Sequence, residues 1–462
     1  MKPILCAVIL MSFAACGSDD DTCNVDEQSG CDDGLVCELT VDGEPVCASP
    51  IVLRGQVFDL SDGAAIEGAR VVALDVNRSP VSSVAITDAD GSYDLVVPSV
   101  RMEDDQFVGV DVTLRADAAG YQTFPEGVRQ ALPIDTAAAV AGDDGFIVET
   151  ALTSIGLLAL PDGAGTATIA GDIEAPGTGY GVLVVAEAGE GHSAVADRDG
   201  DYAIFNVPAG DYTVSAFSRG SNYGSVDVSV GAGELAEADL LLSDAPASTL
   251  NGSVQIVNGG GGTATSIVLV VASTFDPVLV RGAAPPGLRA PEPGIAPDVT
   301  GAFAIEGVPA GTYKVLASFE NDLLVRDPDS CIAGTAIVEQ TVATGEDITL
   351  DQSFKVTGAL EMLSPGAAGP EQVSGNPTIS WVDDSSEDGY EVTVFDAFGE
   401  IVWEHAEPGA SGSNPSVVYA GDALEPGMYY QVRVTSWRQT GGGGGVCEIS
   451  QTEDLKGVFF IP

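Results

Sequence analysis

The sequence predicts an all-β protein, a tandem array of β-sandwiches that follows a small disulfide-rich module. Short runs that alternate apolar and polar residues are broken throughout by Gly, Pro and Asp, as in half-buried strands joined by tight turns. No long stretch shows a helical period, and 45% of the residues are hydrophobic, which is enough for packed cores. Four of the eight cysteines lie close together near the N-terminus.

The N-terminus has the features of an export signal. Lys2 is followed by an apolar stretch from Ile4 to Ala15, which is too short to span a bilayer of about 30 Å. The segment Phe13-Ala14-Ala15-Cys16 resembles the bacterial lipobox, in which small residues precede an invariant cysteine. The resemblance implies that residues 1–15 are a signal peptide and that Cys16 carries the lipid. An ordinary secretory signal followed by an unrelated cysteine is the alternative.

The residues after Cys16 indicate where the anchor would be held. Gly17 stands where an Asp would mark retention in the inner membrane, so the resemblance implies the outer membrane. Residues 16–22 are acidic and would form a lipidated tether between the membrane and the folded part. We therefore expect an outer-membrane lipoprotein on the periplasmic or cell-surface face, with the membrane as its partner through the lipid on Cys16.

The charge of the chain limits its partners. It has 69 Asp and Glu against 17 Lys and Arg, a formal net charge of −52. Such a surface repels phosphate backbones, so no nucleic-acid partner is expected. An envelope protein or a glycan remains as a partner.

Residues 23–48 are predicted to form a cysteine-rich module. Its cysteines are Cys23, Cys31, Cys37 and Cys47. In an exported chain four such cysteines indicate two disulfides. Of the three pairings, we favour the interleaved one, first with third and second with fourth. A metal site is disfavoured because the compartment is oxidising and no histidine lies nearby. Cys331 and Cys447 either bridge two domains or stay separate.

A repeat follows in three copies, predicted over residues 50–161, 166–243 and 248–352. Each copy opens on a glycine two residues before an apolar residue, at Gly55, Gly171 and Gly252. Each continues to an acidic turn that ends in glycine, at Asp88–Gly91, Asp197–Gly200 and Asp298–Gly301. The second and third copies then share a Val-Pro-Ala-Gly-x-Tyr hairpin, at Val207–Tyr212 and Val308–Tyr313.

These motifs resemble the carboxypeptidase regulatory-like domain, a transthyretin-like seven-stranded sandwich of the immunoglobulin-like kind found in bacterial surface proteins. The resemblance implies an appended, non-catalytic sandwich. The first copy departs from it, because a longer segment from Val97 to Phe107 replaces the hairpin. The third copy carries a proline-rich insert, residues 284–297, which we expect to be an exposed loop.

Residues 355–462 have a different pattern. Trp381 follows an alternating segment, and Tyr430 lies in a Leu-x-Pro-x-x-x-Tyr-x-Val-x-Val segment that begins at Leu424. These features resemble a fibronectin type III domain, in which the Trp lies in the core and the Tyr forms the tyrosine corner. Met428 stands where a Thr is usual.

No catalytic constellation emerges from the sequence. The two histidines, His192 and His405, are followed three residues later by Val195 and Pro408, so neither starts the His-x-x-Glu of a zinc peptidase. No nucleophile elbow and no phosphate-binding loop occurs. We therefore expect neither an enzyme nor a cofactor.

Two acidic turns are weak candidates for calcium. Their oxygen ligands would be Asp88, Asp90 and Asp94 in the first and Asp197, Asp199 and Asp201 in the second. Neither turn has the bidentate Glu of an EF-hand. We favour a hairpin turn whose Asp and Gly serve the backbone, and we predict no metal.

Four aromatic residues are candidates for stacking on sugar rings, namely Tyr180, Tyr223, Trp403 and Trp437. They are scattered, which favours a structural role for each. The combined expectation is a rod-like array with the cysteine module at its base and the fibronectin-like domain at its tip. It would have a structural, adhesive or protein-interaction role. A carbohydrate-binding or transport-accessory envelope lipoprotein is the alternative.

Overall fold

The computed structural model describes residues 23–462 except 26, 76, 103–105, 162–165, 175–180, 258–264, 278, 293–298, 320–336, 352, 358, 385, 410–412 and 440–444. In the described part, the regular elements are β-strands and three 3-10 turns, Thr136–Ala138, Ala151–Thr153 and Ala272–Thr274. The predicted all-β class is confirmed. Residues 1–15, Cys16 and the tether lie outside the described residues. None of the described residues belongs to a helix long and apolar enough to cross a bilayer.

The cysteine-rich module is one hairpin tied by two disulfides. Its antiparallel strands are β1 (Val36–Leu39) and β2 (Pro45–Ala48). The disulfides join Cys23 to Cys37 and Cys31 to Cys47, the interleaved arrangement. A buried ion pair fixes this module to the next domain, because the Arg101 guanidinium donates to the Glu38 carboxylate and the two side chains are 2% and 3% exposed.

The first sandwich has two main sheets. Its strands are β3 (Ile51–Asp59), β4 (Arg70–Leu74), β5 (Ala85–Ile86), β6 (Ser92–Val97), β7 (Val100–Arg101), β8 (Phe107–Val108), β9 (Asp111–Asp117), β10 (Ile134–Asp135), β11 (Val140–Gly142), β12 (Gly145–Val148) and β13 (Ile155–Leu157). One sheet has the order β11-β12-β3-β13 with β6 paired to β3, and the other has the order β10-β9-β4-β5. The segment that replaces the hairpin forms the β7–β8 pair and supplies Arg101.

The second sandwich is smaller. Its strands are β14 (Ala167–Asp172), β15 (Leu183–Glu187), β16 (Gly191–Val195), β17 (Asp201–Val207), β18 (Gly210–Phe217), β19 (Asn222–Tyr223), β20 (Val226–Val230), β21 (Leu235–Glu237) and β22 (Leu242–Ser243). The sheet β17-β14-β21 faces the sheet β16-β15-β18-β20 across a core that includes Ile169, Val184 and Tyr202.

The third sandwich repeats this plan. Its strands are β23 (Ser248–Val257), β24 (Thr265–Val271), β25 (Arg289–Ala290), β26 (Ala302–Val308), β27 (Gly311–Phe319), β28 (Val338–Val342), β29 (Asp347–Thr349) and β30 (Phe354–Thr357). The sheet β26-β23-β29, with β30 also paired to β23, faces the sheet β25-β24-β27-β28. Strand β30 thus joins this sandwich, although it extends into the range 355–462 that the sequence assigned to the last domain.

The C-terminal sandwich packs a small sheet against a large one. Its strands are β31 (Met362–Ser364), β32 (Glu371–Gln372), β33 (Thr378–Trp381), β34 (Gly389–Asp396), β35 (Ile401–Pro408), β36 (Ser416–Val418), β37 (Tyr429–Gln439), β38 (Val446–Gln451) and β39 (Val458–Phe460). The sheets have the orders β31-β33-β36 and β32-β39-β37-β34-β35, with β38 paired to β37. Trp381 is fully buried between them and meets the Tyr390 ring edge-on at 5.2 Å.

The opening glycine of each repeat has a steric reason. Gly55, Gly171 and Gly252 lie opposite the aromatic residues Tyr93, Tyr202 and Phe303 on the neighbouring strand. A Cβ on Gly55 would come within 1.8 Å of the Thr153 carbonyl oxygen and 2.9 Å of the Tyr93 hydroxyl. A Cβ on Gly171 would come within 2.3 Å of the Ala238 carbonyl oxygen, and one on Gly252 within 2.4 Å of the Phe303 ring. Neighbouring atoms therefore leave no room for a side chain at this position in any of the three repeats.

The Val-Pro-Ala-Gly-x-Tyr hairpin is closed by its own tyrosine. The Tyr212 hydroxyl donates to the Pro208 carbonyl at 2.8 Å, and the Tyr313 hydroxyl donates to the Pro309 carbonyl at 2.9 Å. Both rings are buried. The motif therefore satisfies a buried hydroxyl locally and places the ring in the core.

The rod-like arrangement expected from the sequence is wrong, because the first sandwich contacts all three others. Arg129 of the first sandwich donates to the Phe398 carbonyl of the C-terminal one at 2.7 Å, and the Phe58 and Phe398 rings meet at 5.6 Å. Leu183 of the second sandwich belongs to the core cluster of the third. The outer sheet faces carry apolar residues and arginines. These faces would be exposed in a rod, but here they are buried between sandwiches.

The proline-rich insert also differs from the expected exposed loop. In its described part, Ala284, Pro285 and Pro286 are buried. The Pro285 carbonyl accepts a hydrogen bond from the Ser79 hydroxyl of the first sandwich at 3.0 Å. Proline has a fixed φ and no backbone N–H that would need an acceptor, so the segment can pack against a neighbouring domain.

Candidate functional site

A cavity of about 770 Å³ lies where the four sandwiches meet. The first sandwich contributes β9 and the loop that follows it, and the second contributes β16. The third contributes the segment from Thr274 to Ala284, and the C-terminal sandwich contributes the outer face of its large sheet. A recessed space of this size at a domain junction is the usual place for a small-molecule site.

Strand alternation explains which side chains reach the cavity. Along β9, Val112, Leu114 and Ala116 are buried in the first core. The residues between them point outward, and Thr113, Arg115 and Asp117 line the cavity.

Three of the cavity arginines are held by neighbouring groups. Arg115 forms a two-pronged ion pair with Asp117, at 2.8 and 3.1 Å, and donates to the Ser193 carbonyl across the domain boundary. Arg281 of the third sandwich donates to the Gly127 carbonyl of the first. Arg433 contacts Asp454 at 2.5 Å and Gln451 at 2.8 Å. The Arg281 contact crosses the domain junction, whereas the Arg433 contacts lie within the C-terminal sandwich, beside that junction.

Arg78 is different from these three. Its guanidinium has no hydrogen bond and no ion pair among the described residues, although it lines the same cavity. Burial, and then the positive charge of Arg281, lowers the pKa of Arg78 to about 10. Arg433 lowers this pKa as well, whereas Asp454 raises it. The guanidinium groups of Arg281 and Arg433, from two other sandwiches, therefore both lie within electrostatic range of Arg78.

The turn that carries Arg78 is tightly tied. The Asp75 carboxylate accepts from the backbone N–H groups of Asn77 and Ser79, both at 2.9 Å. Arg78 has φ of +63°, and Val280 across the cavity has φ of +49°. Left-handed backbone is uncommon for an arginine and a genuine outlier for a β-branched valine. Such conformations persist where surrounding contacts hold them, often at binding sites.

Acidic and neutral groups complete the lining. Glu126 lies near Arg281, and burial raises its pKa. His192 lies at the same junction, where burial lowers its pKa and Glu190 opposes that effect. The cavity thus combines charged, amide and hydroxyl groups, which can hold a polar ligand.

The first calcium candidate is a backbone turn. Asp88 Oδ1 accepts from the Ser92 N–H at 3.0 Å, and Asp90 Oδ1 accepts from the same N–H at 3.1 Å. Asp94 lies on β6 in a two-pronged pair with Arg54 at 2.7 and 2.9 Å. The three carboxylates therefore serve the turn and an ion pair, and do not converge on one point.

The second calcium candidate contributes to a domain interface. Asp197 Oδ1 accepts from the Asp201 N–H at 2.9 Å, and Asp197 Oδ2 lies 3.0 Å from Arg70 of the first sandwich. A hydrogen bond with Asp172 raises the pKa of Asp201. Asp199 is exposed.

The cysteine cluster offers no thiolates for a metal. The sulfurs of Cys23, Cys31 and Cys47 lie within 4.8 Å of one another, but each belongs to a disulfide. Cys447 is disulfide-bonded as well, and its partner lies outside the described residues, as does Cys331.

The aromatic candidates occupy different settings. The Trp403 ring stacks on His405 at 5.3 Å and packs on Tyr419 at 5.1 Å, at the edge of the C-terminal core. Trp437 is half-buried on the outer face of the large sheet, over Gly389. Tyr223 is half-buried, and burial raises its pKa to about 12. Tyr180 lies outside the described residues.

Tyr430 makes the contact that the sequence assigned to it. Its ring is buried in the C-terminal core, and its hydroxyl accepts from the Glu425 N–H at 2.8 Å. This is the geometry of a tyrosine corner, in which the hydroxyl bonds to the backbone a few residues upstream.

Sequence reasoning missed the cavity arginines. Arg78, Arg281 and Arg433 are far apart along the chain and belong to no common motif. The one available signal was their scarcity, since Lys and Arg total 17 against 69 acidic residues.

Neither a protein-family model nor a curated protein matches the chain. Among solved structures, the shaft pilin SpaA from Lactobacillus rhamnosus GG is 11% identical, and the match covers 42% of this chain and 96% of that one with a TM-score of 0.17. The minor pilin GBS52 from Streptococcus agalactiae is 14% identical over 43% and 98%, with a TM-score of 0.18. Two B repeat units of the collagen-binding protein of Staphylococcus aureus are 10% identical over 88% and 99%, with a TM-score of 0.17. These matches assign neither a family nor a function to the chain.

Proposed function

We propose that this chain is a non-enzymatic bacterial surface lipoprotein that displays a rigid cluster of sandwiches for structural or adhesive contacts. The observation that carries the proposal is the burial of one sandwich against another. The first sandwich contacts the other three, through groups that include Arg70, Arg129 and Ser79. A cluster fixed in this way presents its loops in constant relative positions, which suits a display role.

The attachment to the membrane forms the second part of the proposal. Cys16 would carry the lipid at the end of a short tether, and one acyl chain alone would hold the protein only marginally. The disulfide-bonded module would follow at once, and the buried Glu38–Arg101 pair would fix it to the first sandwich. Disulfides persist in oxidising compartments, which supports an envelope location.

The family resemblances belong to the proposal as well. The glycine–aromatic pairs support assignment of the three repeats to the carboxypeptidase regulatory-like domain. The Trp381 core and the Tyr430 corner support a fibronectin type III-like C-terminal domain. Both are domains in which strand edges and loops can bind partners without catalysis.

Mass spectrometry of the mature N-terminus tests the anchor. We expect an acylated Cys16 and a chain that fractionates with the outer membrane, whereas Cys16→Ser should leave an uncleaved or released chain. Surface labelling of intact cells then separates the cell-surface face from the periplasmic face. An unmodified mature N-terminus at Cys16 would refute the lipid anchor.

Carbohydrate binding is the second candidate function. It is favoured by Trp437, which is half-buried on an outer sheet face and can offer part of its ring to a sugar. A glycan array should then give signals for the mature chain that Trp437→Ala removes. Binding that is the same in Trp437→Ala, or no signal from the folded wild type, would exclude this candidate.

A further inference from the structure

We infer that the cavity between the four sandwiches is a binding site for a small organic anion, a molecule that carries a carboxylate or phosphate group to Arg78. This inference goes beyond the proposed display function and does not depend on the lipid anchor. It rests on the placement of three arginines around one cavity, on the lack of a described partner for the Arg78 guanidinium and on the backbone that positions Arg78.

The first step is the convergence of Arg78, Arg281 and Arg433 on one space. They come from the first, third and C-terminal sandwiches, and all three line the cavity. Like charges repel, so bringing these positive groups together lowers the stability of the fold unless a negative charge lies near them. Guanidinium groups are planar donors that match the two oxygens of a carboxylate or phosphate.

Six carboxylates and four arginines of the described residues line the cavity. Asp117 is committed to Arg115, and Asp454 is committed to Arg433. Burial lowers the pKa of Arg281, whereas Asp276 and then Glu126 raise it. Glu190 and Glu448 also line the cavity, and the charge of Asp454 raises the pKa of Arg78 as well. Arg78 is nevertheless the cavity arginine whose guanidinium has no hydrogen bond and no ion pair among the described residues.

Arg78 differs from arginines elsewhere in the chain. With 69 acidic residues and 17 basic ones, a carboxylate partner for an arginine is easily supplied by the sequence. Arg54, Arg70 and Arg101 each have one. An arginine in a recessed cavity of such a chain, with no hydrogen bond or ion pair among the described residues, is available to an anion from solution.

The backbone around Arg78 is fixed by hydrogen bonds. The Asp75 carboxylate holds the Arg78 turn, and the Ser79 hydroxyl ties that turn to the third sandwich at Pro285. The guanidinium is thus presented on a fixed backbone and not on a mobile loop, which lowers the entropy cost of binding. The net charge of −52 does not forbid the site, because distant charges are screened beyond about 8 Å at physiological salt.

The cavity limits the size of the ligand. At about 770 Å³ it falls within the range of ordinary small-molecule sites, which is roughly 300–1,000 Å³. Its hydroxyl and amide groups, such as Thr113 and Gln122, can bind the remainder of a polar molecule.

Calorimetric titration of the full mature chain tests the inference. The probes are glucuronate and citrate for carboxylates, inorganic phosphate and glucose 6-phosphate for phosphates, and glucose as a neutral control. We expect at least one anion to bind with a Kd below about 1 mM and glucose not to bind. A response to the carboxylates alone or to the phosphates alone supports the site and identifies which source fills it.

The matched variants are Arg78→Gln and Arg438→Gln, which make the same charge change inside the cavity and at an exposed position. Arg78→Gln should weaken anion binding at least 10-fold, and Arg438→Gln should leave it unchanged. Because the Arg78 side chain has no described hydrogen bond or ion pair, Arg78→Gln should keep the melting temperature of the unliganded protein or raise it. If Arg78→Gln fails to fold, Arg78→Lys, which keeps the charge but loses the two-pronged geometry, should show intermediate weakening.

Three results would overturn the inference. The first is that no anion of the panel binds the folded wild type at 10 mM. The second is that anion binding is equally strong in Arg78→Gln. The third is that glucose binds as well as glucuronate.

Discussion

The interiors of the repeats are alike, whereas the surfaces between them differ from one repeat to the next. In all three repeats a glycine on the opening strand lies opposite an aromatic residue on the neighbouring strand. The equivalent acidic turns, by contrast, have different neighbours, since Asp88 serves only its own turn and Asp197 also contacts Arg70 of another sandwich. The motif thus determines how a sandwich folds, and the outer faces determine how sandwiches assemble.

The largest expected effect is at the surface between the cysteine module and the first sandwich. Arg101→Ala leaves the Glu38 carboxylate buried without its counter-charge, which costs about 3–5 kcal/mol. We expect the first unfolding transition in calorimetry to fall sharply. Arg54→Ala is the matched control, because the Arg54 and Asp94 side chains are 33% and 54% exposed and ion pairs near the surface contribute about 0–1 kcal/mol. Equal losses in the two variants would contradict the contrast between buried and exposed pairs.

The next effect is inside a repeat. Gly55→Ala places a Cβ against the Thr153 carbonyl oxygen, a backbone atom that cannot move away easily. Overpacking of this kind costs about 1–3 kcal/mol or more, and urea unfolding of the full chain should detect it. Gly301→Ala is the control, since a Cβ there meets no atom within 4 Å. A Gly55→Ala variant as stable as Gly301→Ala would show that the Thr153 carbonyl does not crowd Gly55 as described.

The same contrast explains how far the sequence could predict the structure. The sandwiches and the Tyr430 corner follow from local patterns, because each uses residues a few positions apart in sequence or on adjacent strands. The disulfides join cysteines 14 and 16 residues apart, and cysteine spacing alone leaves three pairings open. The compact assembly did not follow, because Arg129 meets Phe398 across most of the chain. The cavity was missed for the same reason, since Arg78, Arg281 and Arg433 become neighbours only when outer faces pack. The alternation of apolar and polar residues along a strand identifies the outer face of a sheet, but it does not identify the domain that packs on that face.

A smaller effect is expected from pH at the boundary between the first and C-terminal sandwiches. Burial, and then the charge of Asp135, raises the pKa of Asp111 to about 6, although Lys456 opposes the shift. The ionised carboxylate therefore destabilises the fold above pH 6, and this cost disappears as the pH falls toward 4. Asp111→Asn should stabilise the protein at pH 7.5 by about 1–2 kcal/mol after allowance for screening, and should lose this advantage near pH 4.

Melting temperatures at pH 7.5, 6 and 4.5 measure that difference between wild type and variant. The matched control is Asp42→Asn, because Asp42 is exposed. Its difference from the wild type should stay small at all three pH values. An advantage of Asp111→Asn that did not shrink with acid would contradict the raised pKa of Asp111.

The smallest effect compares the two acidic turns directly. In each, the Asp Oδ1 accepts the N–H four residues later, at 3.0 Å for Asp88 and 2.9 Å for Asp197, and an Asn can do the same. Asp88→Asn should therefore cost only a few tenths of a kcal/mol. Asp197→Asn also loses the charge opposite Arg70, in a pair whose side chains are 11% and 14% exposed, and should cost about 1 kcal/mol. A double-mutant cycle with Arg70→Gln isolates that pair, and a coupling energy of zero would mean that the second turn holds its own sandwich but not the interface.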